Sequence, residues 1–382
     1  MRRAFVVVID ACGAGELPDA AEYGDAGSNT LVHLAQAVGG LHLPTFQRLG
    51  LGSIIGIEGV APAADPAIFG RVGAQGPGKE STTGHWELMG AIPQVRLPTY
   101  PRGFPPEVVA ALERTTGHTF LCNTPYNGIG VIEDFGEEHL RSGSLILYTS
   151  QDSVLQLACH TSVLSEPELV EVCRTAREVM RGEHSVGRVI ARPFEGERGS
   201  WRRTEGRKDL ALEPPARSYL DVLTDGGVPV HAVGKIRDLF AGVGITKGHP
   251  GTTNAIALAS TARLIDELDH GLAFTNLVET DQVYGHRKDV EGFHRALQHI
   301  DATVGEWLER LGPDDLLVLT ADHGCDPAAP HTDHTREYAP LLAVAPGVDG
   351  HRHDGALADV GASVHRWLTG SDEPGMPGRP FL

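Results

Sequence analysis

Residues 5–10 read Phe5-Val6-Val7-Val8-Ile9-Asp10, an apolar run that ends in an aspartate. An unbroken run of β-branched and aromatic residues is typical of a strand buried on both faces of a parallel sheet. Similar short runs recur along the chain, at Leu145–Tyr148, Val228–Val233, Phe274–Val278, Leu316–Leu319 and Leu341–Ala345. We therefore expect several buried strands in one sheet.

Helical patterns separate these runs. One helix is predicted where apolar residues recur at steps of three and four, at Phe293, Leu297, Ile300, Val304, Trp307 and Leu311. Gly312-Pro313 should end that helix. A second pattern spans Leu169–Met180, and Ser165 with Glu168 predicts a capping box in front of it. Strands that alternate with helices predict an α/β fold with a mainly parallel sheet.

Composition narrows the possible functions. The chain has 382 residues, enough for one large domain or two ordinary ones, and it is 41% hydrophobic and 21% charged, as in soluble globular proteins. Its formal net charge is −18, from 32 basic and 50 acidic residues. A chain this acidic is a poor candidate for nucleic-acid or membrane-surface binding, and no apolar run is long enough to predict a membrane span.

The cysteines and the first residues suggest a cytoplasmic location. Five cysteines are widely spaced without a Cys-x-x-Cys pair: Cys12, Cys122, Cys159, Cys173 and Cys325. This pattern is unfavourable for a disulfide framework or a cysteine-based zinc site, so reduced thiols are expected. Arg2-Arg3 precedes an apolar run that is too short for a secretory signal.

Carboxylates and imidazoles follow several of the predicted strands. Six such residues lie just beyond a strand or in a nearby loop: Asp10, Asp281, His286, Asp322, His323 and His334. A single aspartate at a strand end is more often a helix cap or turn residue, and a single histidine is usually not a ligand. Ligands of open α/β sheets bind at the carboxyl ends of strands, so six matching positions predict a two-metal site. Nitrogen and oxygen ligation without sulfur suits Mn²⁺ or Zn²⁺ better than Mg²⁺.

A hydroxyl-rich stretch, Lys79-Glu80-Ser81-Thr82-Thr83-Gly84-His85, is the second chemical signal. It predicts either an ordinary loop with a helix cap or a hydroxyl nucleophile at a helix N-terminus, where backbone N–H groups favour phosphate. Gly73 to Lys79 also fits the spacing of a Walker A loop. Glu80 stands where that loop needs a hydroxyl, and no clear strand precedes it, so the match is interpreted as chance.

Residues 188–208 are locally basic in an acidic chain, with seven arginines and lysines against three glutamates. The stretch is either a solvated charged loop or an anion pocket, since guanidinium groups bind phosphate in a bidentate manner.

Taken together, these stretches resemble the prokaryotic phosphopentomutases of the alkaline phosphatase superfamily over nearly the whole chain. The matching motifs are Gly24–Thr30, Thr83–Glu87, Tyr148–Gln156, Gly187–Phe194, Val233–Ile236, Tyr284–Arg287 and Thr332–Glu337. The resemblance implies an alkaline-phosphatase-like α/β core, with a mainly parallel sheet between helices, over residues 1–93 and 214–382. It also implies an inserted α+β cap domain over residues 94–213 that recognises the substrate.

The resemblance further implies a set of site residues. One Mn²⁺ would be held by Asp10, Asp322 and His323, and a second by Asp281, His286 and His334, with other divalent metals as alternatives. Ser81 corresponds to the residue that carries the phosphoryl group. The implied substrate contacts are Ser150, Asp152, Val154, Arg188, Ile190, Arg203 and Lys235.

The implied activity is the interconversion of ribose 1-phosphate and ribose 5-phosphate, and of the 2-deoxyribose pair, after priming by an activator of the glucose 1,6-bisphosphate type. The alternatives are a phosphatase, a mutase for another sugar phosphate, and a non-catalytic metal- or sugar-phosphate-binding protein. Ser81 replaces the usual threonine of the family, Glu80 a usual aspartate, and Glu279-Thr280 an aspartate and a phenylalanine. These departures leave the preferred sugar and the balance of mutase against hydrolase open, and the sequence gives no oligomeric state.

Overall fold

The chain forms two compact units in a computed structural model that describes residues 1–150 and 153–382. Met1–Val95 and Pro214–Leu382 make up the first unit, and Arg96–Glu213 the second. The second unit is therefore an insertion between two segments of the first. Its role as a substrate-recognising cap stays a prediction.

Strands and helices alternate through much of the chain. The strands are β1 (Arg3–Ile9), β2 (Ile68–Gly73), β3 (Phe120–Pro125), β4 (Leu145–Thr149), β5 (Val154–His160), β6 (Arg188–Glu195), β7 (Arg202–Arg203), β8 (Lys208–Ala211), β9 (Val230–Val233), β10 (Lys247–His249), β11 (Gly271–Leu277), β12 (Asp315–Thr320), β13 (Ala339–Val344) and β14 (Gly355–Ala356). The helices are α1 (Thr30–Val38), α2 (Pro44–Leu49), α3 (Leu51–Ile54), α4 (Ser81–Leu88), α5 (Pro106–Thr116), α6 (Gly130–Ser142), α7 (Glu166–Val179), α8 (Tyr219–Asp225), α9 (Ile236–Leu239), α10 (Asn254–Glu267), α11 (Val290–Leu308) and α12 (Ala358–Thr369). Within the described residues, no helix combines the length and apolar character that crossing a membrane requires.

The first unit is built on an eight-stranded sheet with the order β10-β9-β11-β1-β12-β13-β2-β14. The five strands from β10 to β12 are parallel, whereas β13 runs antiparallel to β12 and to β2. Val8 of β1 pairs with Asn276 of β11 and with Thr320 of β12. This register brings the carboxyl ends of three neighbouring strands side by side at one edge of the sheet.

Helices cover both faces of this sheet, as side chains that alternate along β11 show. Thr275 faces α10, because its hydroxyl lies 2.8 Å from that of Thr261. The next residue, Asn276, points the other way and lies 3.2 Å from His85 of α4. The predicted α/β class, with a mainly parallel sheet between helices, is thus confirmed.

The second unit has its own mixed sheet, in the order β3-β4-β5-β6-β7, and β8 also pairs with β6. β5 and β6 are parallel, whereas β7 and β8 run antiparallel to β6. Two apolar clusters accompany this sheet. In one, α5 and α7 contribute residues such as Leu112 and Cys173, and in the other α6 contributes Val131 and Ile132.

The predicted strands and the observed ones differ mainly at their ends. Each predicted apolar run overlaps a strand of the structure, but the run at Val228–Val233 begins early, since β9 starts at Val230. The statement that no strand precedes Gly73 was wrong, because β2 ends there. The sequence of β2 contains two glycines and an arginine, so it gave only a weak strand pattern. Glu80 still departs from a Walker A loop.

The capping box predicted in front of α7 is present. Ser165 accepts a hydrogen bond from the N–H of Glu168, and the Glu168 carboxylate accepts one from the N–H of Ser165, at 2.8 Å. Ser165→Ala should lower the free energy of unfolding of the second unit by about 1 kcal/mol, because a helix N–H loses its acceptor.

Urea unfolding followed by circular dichroism measures this change. Ser165→Asp is the control, since aspartate keeps an acceptor at this position and should retain most of the stability. An alanine variant as stable as the unmodified chain would contradict the role assigned to this cap.

Candidate metal centre

Three strand ends and two loops supply the carboxylates and imidazoles of the first unit. Asp10 directly follows β1, and Asp322 and His323 follow β12. Asp281 lies in a π-helical turn, Thr280–Tyr284, just beyond β11, and His286 lies in the 3₁₀ turn after it. Turns of the π type are frequent at functional sites, because they re-aim side chains. His334 reaches the same region from the loop in front of β13.

These residues form two clusters whose members could each hold a metal ion. Asp281, His286 and His334 offer ligand atoms within 4.8 Å of one another, and so do Asp10, Asp281 and His323. Asp281 therefore belongs to both clusters. Asp322 lies against the second one, with its Oδ2 atom 3.3 Å from Nε2 of His323.

The contacts in the first cluster converge on one carboxylate. Nε2 of His334 lies 3.2 Å from Oδ1 of Asp281, and Nε2 of His286 lies 3.4 Å from the same atom. The imidazole rings of His286 and His334 are 4.7 Å apart, and those of His323 and His334 are 4.1 Å apart. The two clusters are thus continuous. How the six residues divide between two ions stays a prediction.

Unpartnered buried atoms show that these residues fit a metal. Among the described residues, Asp281 Oδ1, Asp322 Oδ2 and His334 Nε2 are buried and take part in no hydrogen bond. These atoms lie in ion-pair contacts at 3.1 to 3.4 Å, but a buried polar atom without a hydrogen bond is costly, and a divalent cation would satisfy all three. The Nδ1 atoms of His286 and His323 donate to the carbonyl oxygens of Thr332 and Gly324, at 2.6 and 3.0 Å. These bonds leave Nε2 as the ligand atom, the usual arrangement of a metal-binding histidine.

Ser81 stands beside the second cluster as the first residue of α4. Its Oγ atom lies 3.0 Å from Nε2 of His323 and donates to Oδ1 of Asp10 at 3.3 Å. The hydroxyl is therefore in contact with two candidate ligands of the same ion. A nucleophile at this position would need such contacts, and the role of Ser81 as the nucleophile stays a prediction.

His85 and Asn276 connect Ser81 to the carboxylates, and the sequence analysis did not single them out as site residues. Nδ1 of His85 donates to the carbonyl oxygen of Ser81 at 2.8 Å and lies 3.1 Å from Oδ2 of Asp322. The amide of Asn276 donates to Oδ2 of Asp10 at 2.8 Å and lies 3.2 Å from Nε2 of His85. The available signal was an amide inside the apolar strand pattern Phe274–Val278, because a buried amide needs partners.

Electrostatics in this region follow from burial and from opposite charges. Burial alone would raise the pKa of Asp10, but its hydrogen bond with His323 and the charges of His323 and His85 hold that pKa well below its usual range. Burial alone would lower the pKa of His323, but the carboxylates of Asp322 and Asp10 raise it to about 10. Without a metal, the imidazole thus carries a proton where a cation would otherwise sit.

The predicted substrate contacts lie mostly in the second unit. Val154 begins β5 and pairs with Arg188, the first residue of β6, and Ile190 lies two residues further on the same face. Ser150 follows β4, and Arg203 lies in β7, where its Nε atom donates to the carbonyl oxygen of Gly128 at 3.1 Å. Lys235 lies in the first unit, at the residue directly before α9. Asp152 lies outside the described residues.

The basic stretch is a strand rather than a solvated loop over much of its length. Arg188 and Arg207 both pair with Asp209, and Arg202 pairs with Glu195. Arg192 donates to the side chain of Gln156 at 3.0 Å. Its burial, together with the charges of Arg207 and Arg203, lowers the pKa of its guanidinium. The charges of Arg203 and Arg207 thus act on Arg192, whereas carboxylates pair with Arg188, Arg202 and Arg207.

Two of the departures from the family pattern make specific contacts. The Glu279 carboxylate accepts a hydrogen bond from the N–H of Asn254 at 2.6 Å, and the Asn254 side chain accepts one from the N–H of Glu279 at 3.0 Å. Glu279 thereby ties the end of β11 to the start of α10. Glu80 precedes α4 and accepts a hydrogen bond from the hydroxyl of Thr83 at 3.1 Å.

Comparison with known proteins places this chain among metal-dependent enzymes, in agreement with a candidate metal site. The model of the metalloenzyme superfamily matches residues 2–369. A phosphopentomutase of Anaeromyxobacter sp. is 50% identical over 96% of this chain and 95% of its own length, and one of Desulfitobacterium hafniense is 45% identical over 100% and 99%. The chain belongs to the phosphopentomutases, within the alkaline phosphatase superfamily of metalloenzymes. It is thus an isomerase that transfers a phosphoryl group, as the sequence predicted, and divalent metals are part of its chemistry.

Solved structures support the fold. A phosphoglycerate mutase from Leishmania mexicana superposes with a TM-score of 0.51 over 99% of this chain and 97% of its own, at 12% identity. A protein from Pyrococcus horikoshii gives 0.50 over 98% and 99%, at 14% identity. At such low identity these likenesses show the fold alone.

Asp281 is the residue whose loss should affect both clusters. Asp281→Asn should weaken binding at both metal positions by more than about tenfold, because the amide removes a negative charge that lies in both clusters. Elemental analysis after dialysis against a fixed metal concentration measures the content per chain. Asp314→Asn, at an exposed position, is the control. Wild-type metal content in Asp281→Asn would contradict the shared role.

Metal binding should also release protons. The carboxylates raise the pKa of His323 to about 10, so the metal-free imidazole is protonated at neutral pH and must lose that proton to bind a cation. The apparent affinity should therefore rise with pH, by up to about tenfold per pH unit for one proton, until pH passes the pKa.

Isothermal titration in buffers of different ionisation enthalpy counts the released protons. His323→Asn should release fewer protons than the unmodified chain. A binding heat that is independent of the buffer would contradict the protonation state assigned to His323.

Proposed function

We propose that this phosphopentomutase interconverts ribose 1-phosphate and ribose 5-phosphate, and the 2-deoxyribose equivalents, through a phosphoserine at Ser81 and a sugar bisphosphate. The observation that carries the proposal is the position of the Ser81 hydroxyl, 3.0 Å from His323 and 3.3 Å from Asp10. The proposal is also supported by the phosphopentomutase relatives, which match this chain over nearly its full length.

The residues of the chain account for the binding of the phosphoryl group. Ser81 begins α4, and the side chain of Glu80 does not cap that helix. The N–H groups of the first turn therefore point toward the position of a phosphoryl group on Ser81, where the helix dipole also favours negative charge. His85 holds the Ser81 carbonyl at 2.8 Å and so fixes the orientation of the first turn.

The six predicted ligands would hold two divalent ions, which we propose to be Mn²⁺: Asp10, Asp322 and His323 for one ion, and Asp281, His286 and His334 for the other. Bound ions would lower the pKa of the serine hydroxyl and stabilise the charge on the transferring group. Asn276 donates to Asp10 and thereby orients its carboxylate.

The proposed cycle contains two phosphoryl transfers. In the first, the P–O bond of phospho-Ser81 breaks, a P–O bond forms to the free hydroxyl of the pentose phosphate, and the proton of that hydroxyl passes to the Ser81 oxygen. The resulting bisphosphate reorients within the site. In the second transfer the P–O bond at the other end of the bisphosphate breaks, and that phosphoryl group returns to Ser81. The Ser81 proton passes to the sugar oxygen left behind, and the isomeric pentose phosphate is free to leave. An activator of the glucose 1,6-bisphosphate type would supply the first phosphoryl group.

Substrate recognition is assigned to the second unit, which we propose to act as the cap. Ser150, Asp152, Val154, Arg188, Ile190 and Arg203 would contact the sugar phosphate, together with Lys235 of the first unit. The arginines of β6 and its neighbouring strands support this assignment, because guanidinium groups bind phosphate strongly. We also place the enzyme in the cytoplasm, where nucleosides and pentose phosphates are metabolised.

Labelling tests the nucleophile. After priming with a ³²P-labelled hexose bisphosphate, label should appear on Ser81 and be absent from Ser81→Ala, which has no hydroxyl. Ser81→Thr should retain the label, since it keeps the hydroxyl. Thr82→Ala is the control at the neighbouring hydroxyl and should label normally. Label on another residue would overturn the mechanism.

Turnover separates the proposed activity from its alternatives. The primed enzyme with Mn²⁺ should convert ribose 5-phosphate to its isomer faster than it releases inorganic phosphate. Phosphate release without isomer would indicate a phosphatase, and faster conversion of hexose phosphates a mutase for another sugar. Bound metal with no turnover on any of these substrates would indicate a binding protein.

A further inference from the structure

The motif Gly24–Thr30 supplies none of the predicted ligands or substrate contacts, yet one of its side chains is at the centre of a charged network. The Asp25 side chain is fully buried. Its carboxylate accepts from Nζ of Lys79 at 3.3 Å on Oδ1 and 3.1 Å on Oδ2. Oδ1 also lies 3.0 Å from Nε2 of His331, and Oδ2 accepts from the N–H of Arg336 at 2.9 Å.

The partners of Asp25 come from two separate segments. Lys79 belongs to the segment 77–79 that leads into Ser81, and it also pairs with Asp333 at 3.4 Å. His331 and Arg336 belong to the segment 331–336, which contains the predicted metal ligand His334. One buried carboxylate therefore joins the approach to the nucleophile with the approach to a ligand.

Further contacts strengthen the same connection. The hydroxyl of Tyr23 donates to the carbonyl oxygen of Pro77 at 2.8 Å, and the guanidinium of Arg336 lies 4.8 Å from the centre of the Tyr23 ring. Arg336 also donates to the carbonyl oxygen of Gly78, and its other nitrogens bind the Asp19 carboxylate at 3.1 and 3.0 Å. Both backbone carbonyls immediately before Lys79 are thus held.

The other end of the motif is fixed to the same side of the site. The N–H of Thr30 donates to Glu337 at 2.9 Å, and the N–H of Asn29 donates to Asp326 at 2.7 Å. The hydroxyl of Thr30 accepts from the N–H of Cys325 at 3.0 Å. Asp326 and Cys325 follow His323, and Glu337 follows His334, so Asn29 and Thr30 contact the segments that carry predicted ligands.

We propose that Asp25 is a positioning residue, which acts through Lys79 and Arg336 to fix the distance between Ser81 and the metal ligands. The proposal rests on the proposed function of Ser81 as nucleophile. Transfer of a phosphoryl group needs reacting atoms in close alignment, and a displacement of about 1 Å can cost about 100-fold in rate. A buried carboxylate with several donors is suited to this purpose, because moving any one segment would leave charge unpaired.

Asp25→Asn tests the proposal. Its amide has nearly the same shape but presents N–H donors where Lys79 and Arg336 also donate. We expect the rate of Ser81 phosphorylation in a single turnover to fall by about 10- to 100-fold. Metal content and the KM for the pentose phosphate should stay unchanged, which distinguishes lost positioning from lost folding or lost binding.

A double-variant cycle tests whether Asp25 acts through Lys79. The variant Asp25→Asn with Lys79→Met should be no slower than Asp25→Asn alone, because the two residues act as one unit. Ser28→Ala is the matched control. The Ser28 hydroxyl is buried in the same motif and has no hydrogen-bond partner among the described residues, so its removal should leave the rate unchanged.

The outcomes separate this inference from the proposed function. If the unmodified enzyme carries no label on Ser81, the proposed function fails. If the unmodified enzyme is labelled on Ser81, and Asp25→Asn with full metal content is labelled at the same rate, only the positioning role is overturned. If Asp25→Asn loses metal or unfolds, Lys79→Met decides, because it removes the same ion pair from its other side. A severalfold slower labelling with unchanged metal content supports the inference, and an unchanged rate overturns it.

Discussion

Negative charge collected at one end of three parallel strands is the constraint on which the rest of this structure depends. Asp10, Asp281 and Asp322 are all buried within the same small region, together with His323 and His334. Carboxylates at this separation repel one another, and burial removes the water that would screen them. In the metal-free chain the carboxylates raise the pKa of His323 and of His334, and the protonated imidazoles compensate part of that charge. Divalent cations would compensate it fully, and this demand explains why the site belongs to a metalloenzyme.

Strand pairing and hydrogen bonds hold the side chains of the site in place despite this repulsion. Parallel pairing of β11, β1 and β12 aligns the strand ends, and carbonyl oxygens of Thr332 and Gly324 orient two imidazoles. His85 and Asn276 connect α4 to the carboxylates, so Ser81 and the predicted ligands share one hydrogen-bond network. Asp25 and its partners hold the segment in front of Ser81. A reaction that depends on alignment within a fraction of an ångström benefits from such redundancy.

Much of the fold could be predicted because apolar runs and helical periodicity are local signals. The run Phe5–Ile9 predicted the central strand, and the pattern from Phe293 to Leu311 predicted α11, which ends at Leu308. β2 was missed, since Ile68–Gly73 contains two glycines and an arginine and so lacks a strong β pattern. The roles of Asn276 and Asp25 were missed for another reason. Their partners lie far away in the sequence, and no local pattern indicates which buried amide or carboxylate will meet them.

The sequence by itself determined the class of fold, the family, and which residue types stand at the ends of the strands. These properties depend on short, local stretches of the chain. The tertiary structure alone decided which of those residues meet. It made Asp281 common to both clusters, set the Ser81 hydroxyl against His323 and Asp10, and joined Asp25 to two distant segments. These distances depend on strand register and on the packing of helices across the sheet, and both arise from contacts between residues that are hundreds of positions apart.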